Sequence, residues 1–211
     1  MKKTIPYIMF ICVVSYQVYA TYYEITTNIY TPGLTLQTGD SLYMTNGGFS
    51  DLNLFGESSA TIKGTSPLAE GTGGIWIIRL LNNSSLYMTS GQVNMIDIGN
   101  NATAVLKGGL IRHIYSYQWV PYTPGRDGVP NPNIKLYYSG DLPTLSSGNI
   151  LTGLWGSGDP FSIYLHDVPG YDPVIKNIQF ILVSEPAAML LLGLGGLLLG
   201  RRGWRGWTGG R

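Results

Sequence analysis

The sequence predicts a mainly β protein: a short β-solenoid, a second β region behind it, and a hydrophobic helix at the C-terminus. Three observations lead there. Ser41-Leu42-Tyr43-Met44-Thr45-Asn46-Gly47 returns as Ser85-Leu86-Tyr87-Met88-Thr89-Ser90-Gly91, and the likeness runs on to Ala60/Ala104, Lys63/Lys107 and Gly64/Gly108. Each half divides again: Ser41-Leu42-x-Met44 aligns with Ser59-Ala60-x-Ile62, and Ser85-Leu86-x-Met88 with Thr103-Ala104-x-Leu106. Within a unit, apolar residues alternate at period two (Leu42/Met44, Leu52/Leu54, Ile78/Leu80, Ile96/Ile98), which is the period of a strand. A short fixed repeat marks a stacked architecture.

In chain order, Met1-Lys2-Lys3 is a basic region, residues 5–14 are apolar, and Val18-Tyr19-Ala20 is a small-residue cleavage site. Together they predict a secretory signal peptide over residues 1–20, cut after Ala20. Residues 21–40, with Ile25, Ile29, Leu34 and Leu36, are expected to cap the first unit. Residues 41–118 hold four units of about 18 residues, with an insertion of about eight around residues 66–72. Gly47-Gly48, Gly64, Gly91 and Gly108-Gly109 punctuate the units where the chain must turn. A single unit cannot bury its apolar face; stacked units line Leu, Met and Ile into a continuous core. Asn and Ser at equivalent turn positions are expected to form side-chain ladders.

Residues 119–183 change in texture. A loop rich in proline (Pro121, Pro124, Pro130, Pro132) precedes strands expected at 134–138, 161–165 and 175–182. They read as a small β appendage on the C-terminal end of the repeats.

The composition excludes several function classes. The sole cysteine, Cys12, falls inside the predicted signal peptide, so neither disulfides nor thiol catalysis is expected. A net charge of +1 with 12% charged residues offers no basic patch for nucleic acid. His113 and His166 lack metal-ligand spacing, and no G-x-S-x-G elbow accompanies them. Asp51 and Asp97 are the acid pair to weigh for a glycosidase, but an intervening unit separates them and no basic cluster attends them. They read as solvated outer-face acids. Asp159, Asp167 and Asp172 could gather around calcium, yet turn capping explains them as well. No catalytic residue, metal or cofactor is therefore assigned. The candidate ligand surface is aromatic: Tyr115, Tyr117, Trp119, Tyr122, Tyr137 and Tyr138 lie around the junction of repeats and appendage, suited to sugar rings or another protein.

The C-terminal residues 184–211 carry three features in order. Ser184-Glu185-Pro186 is a polar signal with a helix breaker, residues 187–200 are apolar and uncharged, and Arg201, Arg202 and Arg205 close the segment. Arginines beyond an apolar helix stay with cytoplasmic headgroups. This layout resembles the sorting tail of PEP-CTERM proteins, the bacterial substrates of exosortase, with Ser184 in place of the first proline of the family's Pro-Glu-Pro. The resemblance implies export, transient anchoring in the inner membrane through the C-terminal helix, processing by an exosortase-type enzyme, and delivery to the cell surface or extracellular matrix. Short Gly/Ser/Asn-rich repeats also resemble those of secreted members of that family. The expected function is a non-enzymatic structural protein associated with exopolysaccharide or other surface proteins; the alternative is a carbohydrate-active enzyme or lectin-like module on the same solenoid.

Overall fold

The computed structural model describes residues 20–67, 74–99, 101–117 and 133–183. Residues 1–19 of the segment read as a signal peptide and the whole segment read as a sorting tail, including Ser184, Glu185, Pro186, Arg201 and Arg202, lie outside them. Among the described residues no helix is long and apolar enough to cross a membrane.

The protein is mainly β. Short and long strands alternate: β1 (Tyr22–Ile25), β2 (Tyr30–Leu36), β3 (Ser41–Met44), β4 (Gly48–Leu54), β5 (Ser59–Ile62), β6 (Gly74–Leu80), β7 (Ser85–Met88), β8 (Gln92–Ile98), β9 (Thr103–Leu106) and β10 (Leu110–Ser116). Every strand in this run pairs parallel with the next but one, so the short strands form one arm and the long strands another. The residues that the repeat aligns are register partners. Ser41 faces Ser59, Ser59 faces Ser85, and Ser85 faces Thr103. Leu52, Ile78, Ile96 and Ile114 stand in one column of the other arm. Residues 21–40, expected as a cap, join the same pairing, with Tyr23 opposite Leu42 and Leu34 opposite Leu52.

The long strands depart from simple alternation. Phe49 and Leu52 are both buried while Ser50 and Asp51 between them point outward, and the same inward pair recurs as Ile75/Ile78, Val93/Ile96 and Ile111/Ile114. In β4, β6 and β10 two consecutive outward residues separate the inward pair, whereas in β8 Asn94 is itself buried. Leu, Ile and Met from both arms merge in one buried cluster. Each such side chain contributes about 1.5–3 kcal/mol by leaving water.

Turns repeat with the strands. Tight backbone turns close at Asp40 N–H to Gln37 O, Ser58 to Phe55, Ser84 to Leu81 and Ala102 to Gly99. At the opposite corner the Ser66 hydroxyl donates to the side-chain oxygens of Asn28 and Asn46, and the Gly47 N–H donates to Ser66 Oγ at 3.2 Å. Ser66 belongs to the inserted segment, and the 18-residue step aligns Asn46 with Gly64, so this is one local cluster rather than a ladder of equivalent turn positions.

The C-terminal region continues the same sheet. β11 (Ile134–Leu145) outruns the strand expected at 134–138, and β12 (Ile150–Trp155) was not anticipated. β13 (Pro160–His166) is close to expectation. The strand expected over 175–182 divides into a 3-10 turn (Val174–Asn177) and β14 (Ile178–Leu182), because the Asp167 carboxylate accepts the Val174 N–H at 2.8 Å and starts the turn. β11 lies parallel to β9 and β14, antiparallel to β12; β13 lies antiparallel to β12 and parallel to β10. The described strands thus form one open sheet that doubles back through β12, with β1 and β2 at its ends.

Candidate functional site

Two outward faces carry the candidate chemistry. On the short-strand arm Leu42 and Met44 turn inward, which leaves Tyr43 and Thr45 outside. Tyr43, Thr61 and Tyr87 form one register column. The neighbouring column runs Thr45, Lys63, Thr89, Lys107, held by the N–H of Lys63 on Met44 O and of Lys107 on Met88 O, both at 2.8 Å. The Lys63 ammonium lies 5.3 Å from the Tyr43 ring centre; that of Lys107 lies 5.2 Å from Tyr87 and 4.5 Å from Tyr137. The duplication repeats this Tyr/Lys pair every second strand, a spacing of about 9–10 Å. Lys135 is exposed beside Val105, and Glu24 lies at the far edge of the Tyr column, next to Tyr43.

The long-strand arm presents a different set. Asn53, Arg79, Asp97, Tyr115 and His166 form one outward column, and Asp51, Ile77, Met95, His113 and Tyr164 the next. Arg79 stands between the two aspartates that the sequence reading left without a basic partner. Its Nη1 lies 2.6 Å from Asp51 Oδ1 and 3.2 Å from Asn53 Oδ1, and its Nε 3.7 Å from Asp97 Oδ2. Burial raises the Asp97 carboxyl above the ordinary aspartate range, with Arg79 pulling the other way. Asp97 Oδ1 is buried without a hydrogen bond among the described residues. Arg79→Met should therefore cost about 1–2 kcal/mol in urea unfolding, mostly through the half-buried Asp97. Adding Asp97→Asn should recover most of that loss; a double variant as unstable as the single one would show that Arg79 acts through packing instead.

His113 and His166, which lack metal-ligand spacing in the sequence, meet: Nδ1 of His113 lies 2.9 Å from Nε2 of His166. The Tyr115 ring stacks on His166 at 4.1 Å and 3° between planes, and Tyr164 lies 4.3 Å from it at 47°. Burial, then the neighbouring His113, lowers the His166 pKa from its ordinary value. The contact was hidden in the sequence because it depends on β13 landing beside β10, with 53 residues between the two rings.

The aromatic surface expected from sequence is divided. Tyr115 joins the histidines, and Tyr117 meets Tyr171 edge to face at 5.5 Å. Tyr137 lies on the other arm with Lys107, while Tyr138 packs against the core beside Phe180. Trp119 and Tyr122 lie outside the described residues. Asp159 accepts the Ser157 hydroxyl at 2.9 Å and Asp167 caps the 3-10 turn. With Asp172 they do not gather: no group of three His, Cys, Asp or Glu able to hold a metal occurs among the described residues. An open polar cleft of about 490 Å³ beside Gly109 and Trp155 brings in one carboxylate, Asp159, among its described lining. A glycosidase needs two facing carboxyl groups.

Comparison with protein-family models, with curated proteins and with solved structures found no match.

Proposed function

We propose that the chain is an exported, non-enzymatic β-solenoid protein of the cell surface or extracellular matrix, sorted through its PEP-CTERM-like tail, that holds acidic exopolysaccharide along its Tyr/Lys face. The observation that carries the ligand reading is the two-strand repeat of Tyr43–Lys63 and Tyr87–Lys107. Lysines rooted about 9–10 Å apart, two strand spacings, suit charges borne by alternate sugars of an extended acidic chain. Tyrosine rings beside them offer flat surfaces for sugar rings and hydroxyls for hydrogen bonds. Parallel pairing through both arms supports the solenoid reading and would keep those spacings fixed. The sorting part rests on the sequence of residues 184–211 and on the signal peptide.

The test is to recover the protein from membrane, surface and medium of an exosortase-bearing host, determine intact masses, and pass the mature form over polyuronate and neutral glucan. The expected species lacks residues 1–20 and everything after about residue 185, and is retained on polyuronate until salt is raised. Replacing Lys63 and Lys107 by alanine removes one exposed and one partly exposed contact worth about 0.5–1 kcal/mol each, so retention should weaken roughly five- to thirtyfold. A full-length C-terminus held in the membrane would remove the sorting reading. Retention indifferent to salt and to both lysines would remove the ligand. Depolymerisation of the column would favour the enzyme alternative.

A further inference from the structure

The chain contains two histidines, and the fold brings both to one point on its outer surface. We propose that His113 and His166 form a copper-binding site. The ring nitrogens stand 2.9 Å apart. Two metal–imidazole bonds of about 2.0–2.1 Å meeting at a right angle place their nitrogens about 2.9 Å apart, whereas a tetrahedral angle needs about 3.3 Å. The separation therefore suits adjacent positions of a tetragonal ion, the geometry of Cu²⁺. Without metal the same contact is a hydrogen bond in which one neutral ring donates to the other; ligation by both nitrogens requires the donating ring to take its other tautomer, its N–H moving to the far ring nitrogen.

The surroundings favour copper over other divalent ions. Imidazole affinity rises through the first-row series to Cu²⁺ and falls again at Zn²⁺. Met95 is the register partner of His113 on the same outward column, which brings to the adjoining strand a thioether, the side chain that serves copper as a weak axial ligand. The two rings are not free to drift. Tyr115 stacks on His166, and Tyr164 packs edge-on to His113 at 6.0 Å between centres. Held rings lose little freedom on ligation. Both histidines are only partly buried, so the remaining positions of the ion stay open to water or an added ligand.

The experiment is titration of the tag-free, full mature chain with Cu²⁺, followed by calorimetry and by pulsed electron paramagnetic resonance, which detects the remote nitrogen of a bound imidazole. One ion per chain is expected, with modulation from two equatorial imidazoles and affinity above that for Zn²⁺. His113→Gln and His166→Gln, each checked for native far-UV circular dichroism, should weaken binding at least about thirtyfold. Unchanged affinity in both variants would overturn the site. So would a wild-type spectrum lacking two imidazoles, which decides the matter even if a variant fails to fold.

Discussion

Gly108→Val is expected to lower the free energy of unfolding by about 3 kcal/mol or more, against a change within about 0.5 kcal/mol for Gly148→Ala. The difference lies in what a Cβ would meet. At Gly108 it would sit 2.3 Å from the backbone carbonyl oxygen of Thr89, on the adjoining unit, an atom that cannot move without shifting its own strand. At Gly148 the nearest atom is the Ser146 hydroxyl at 3.8 Å. Gly64 repeats the arrangement, its Cβ falling 2.4 Å from the Thr45 carbonyl oxygen, so Gly64→Val should behave like Gly108→Val. Urea denaturation checks this: the midpoint should fall with the slope unchanged. A Gly108→Val midpoint within error of wild type would mean that the units do not stack this closely in solution.

These glycines also show what the sequence could convey. Gly64 and Gly108 align, as do Ser41, Ser59, Ser85 and Thr103, because each unit meets the same neighbour in the same way. The repeat is a record of register, and parallel pairing at a constant step needs no other information. Where the physical demand differs from unit to unit, the signal fades. Phe49, Ile75, Val93 and Ile111 form a buried register column. Period-two counting overlooks it because the two outward residues before Leu52 break the phase. β2 is obscured by Pro32-Gly33 within it, two residues that weaken the pattern of a strand.

The chemistry was less legible than the fold for a related reason. Side chains of one column belong to different units, and their meeting depends on the step between strands. Arg79 reaches Asp51 across 28 residues, over the step that the insertion lengthens, and the aligned positions of the other units hold no arginine to mark the contact. The two histidines require a further event, the return of β13 to the long-strand arm. By contrast, the Tyr/Lys pairs were visible as a repeated phrase, although their mutual contact was not. The two proposed sites therefore sit where the duplication is most faithful on one face and where it has been interrupted on the other.

Trp155→Ala tests whether the C-terminal strands and the repeats unfold together. The indole is almost wholly buried, packs on Phe161 at 4.6 Å between ring centres, and donates its Nε1–H to the Gly109 carbonyl at 3.0 Å. It thereby ties β12 to a turn of the repeats. Removing it should cost about 3–5 kcal/mol, from lost burial and the cavity left behind. Trp155→Phe keeps much of the volume and loses the bond to Gly109, a cost of about 1–2 kcal/mol. Because β11 pairs with β9 and β13 with β10, the alanine variant should lose amide-exchange protection in β7 through β10 as well as in β11 through β13. Protection lost only after residue 133 would mean that the C-terminal region opens as a separate unit. Loss across both would mean that the last units of the stack need β13 beside them, and that the histidine pair at that seam is as stable as the core.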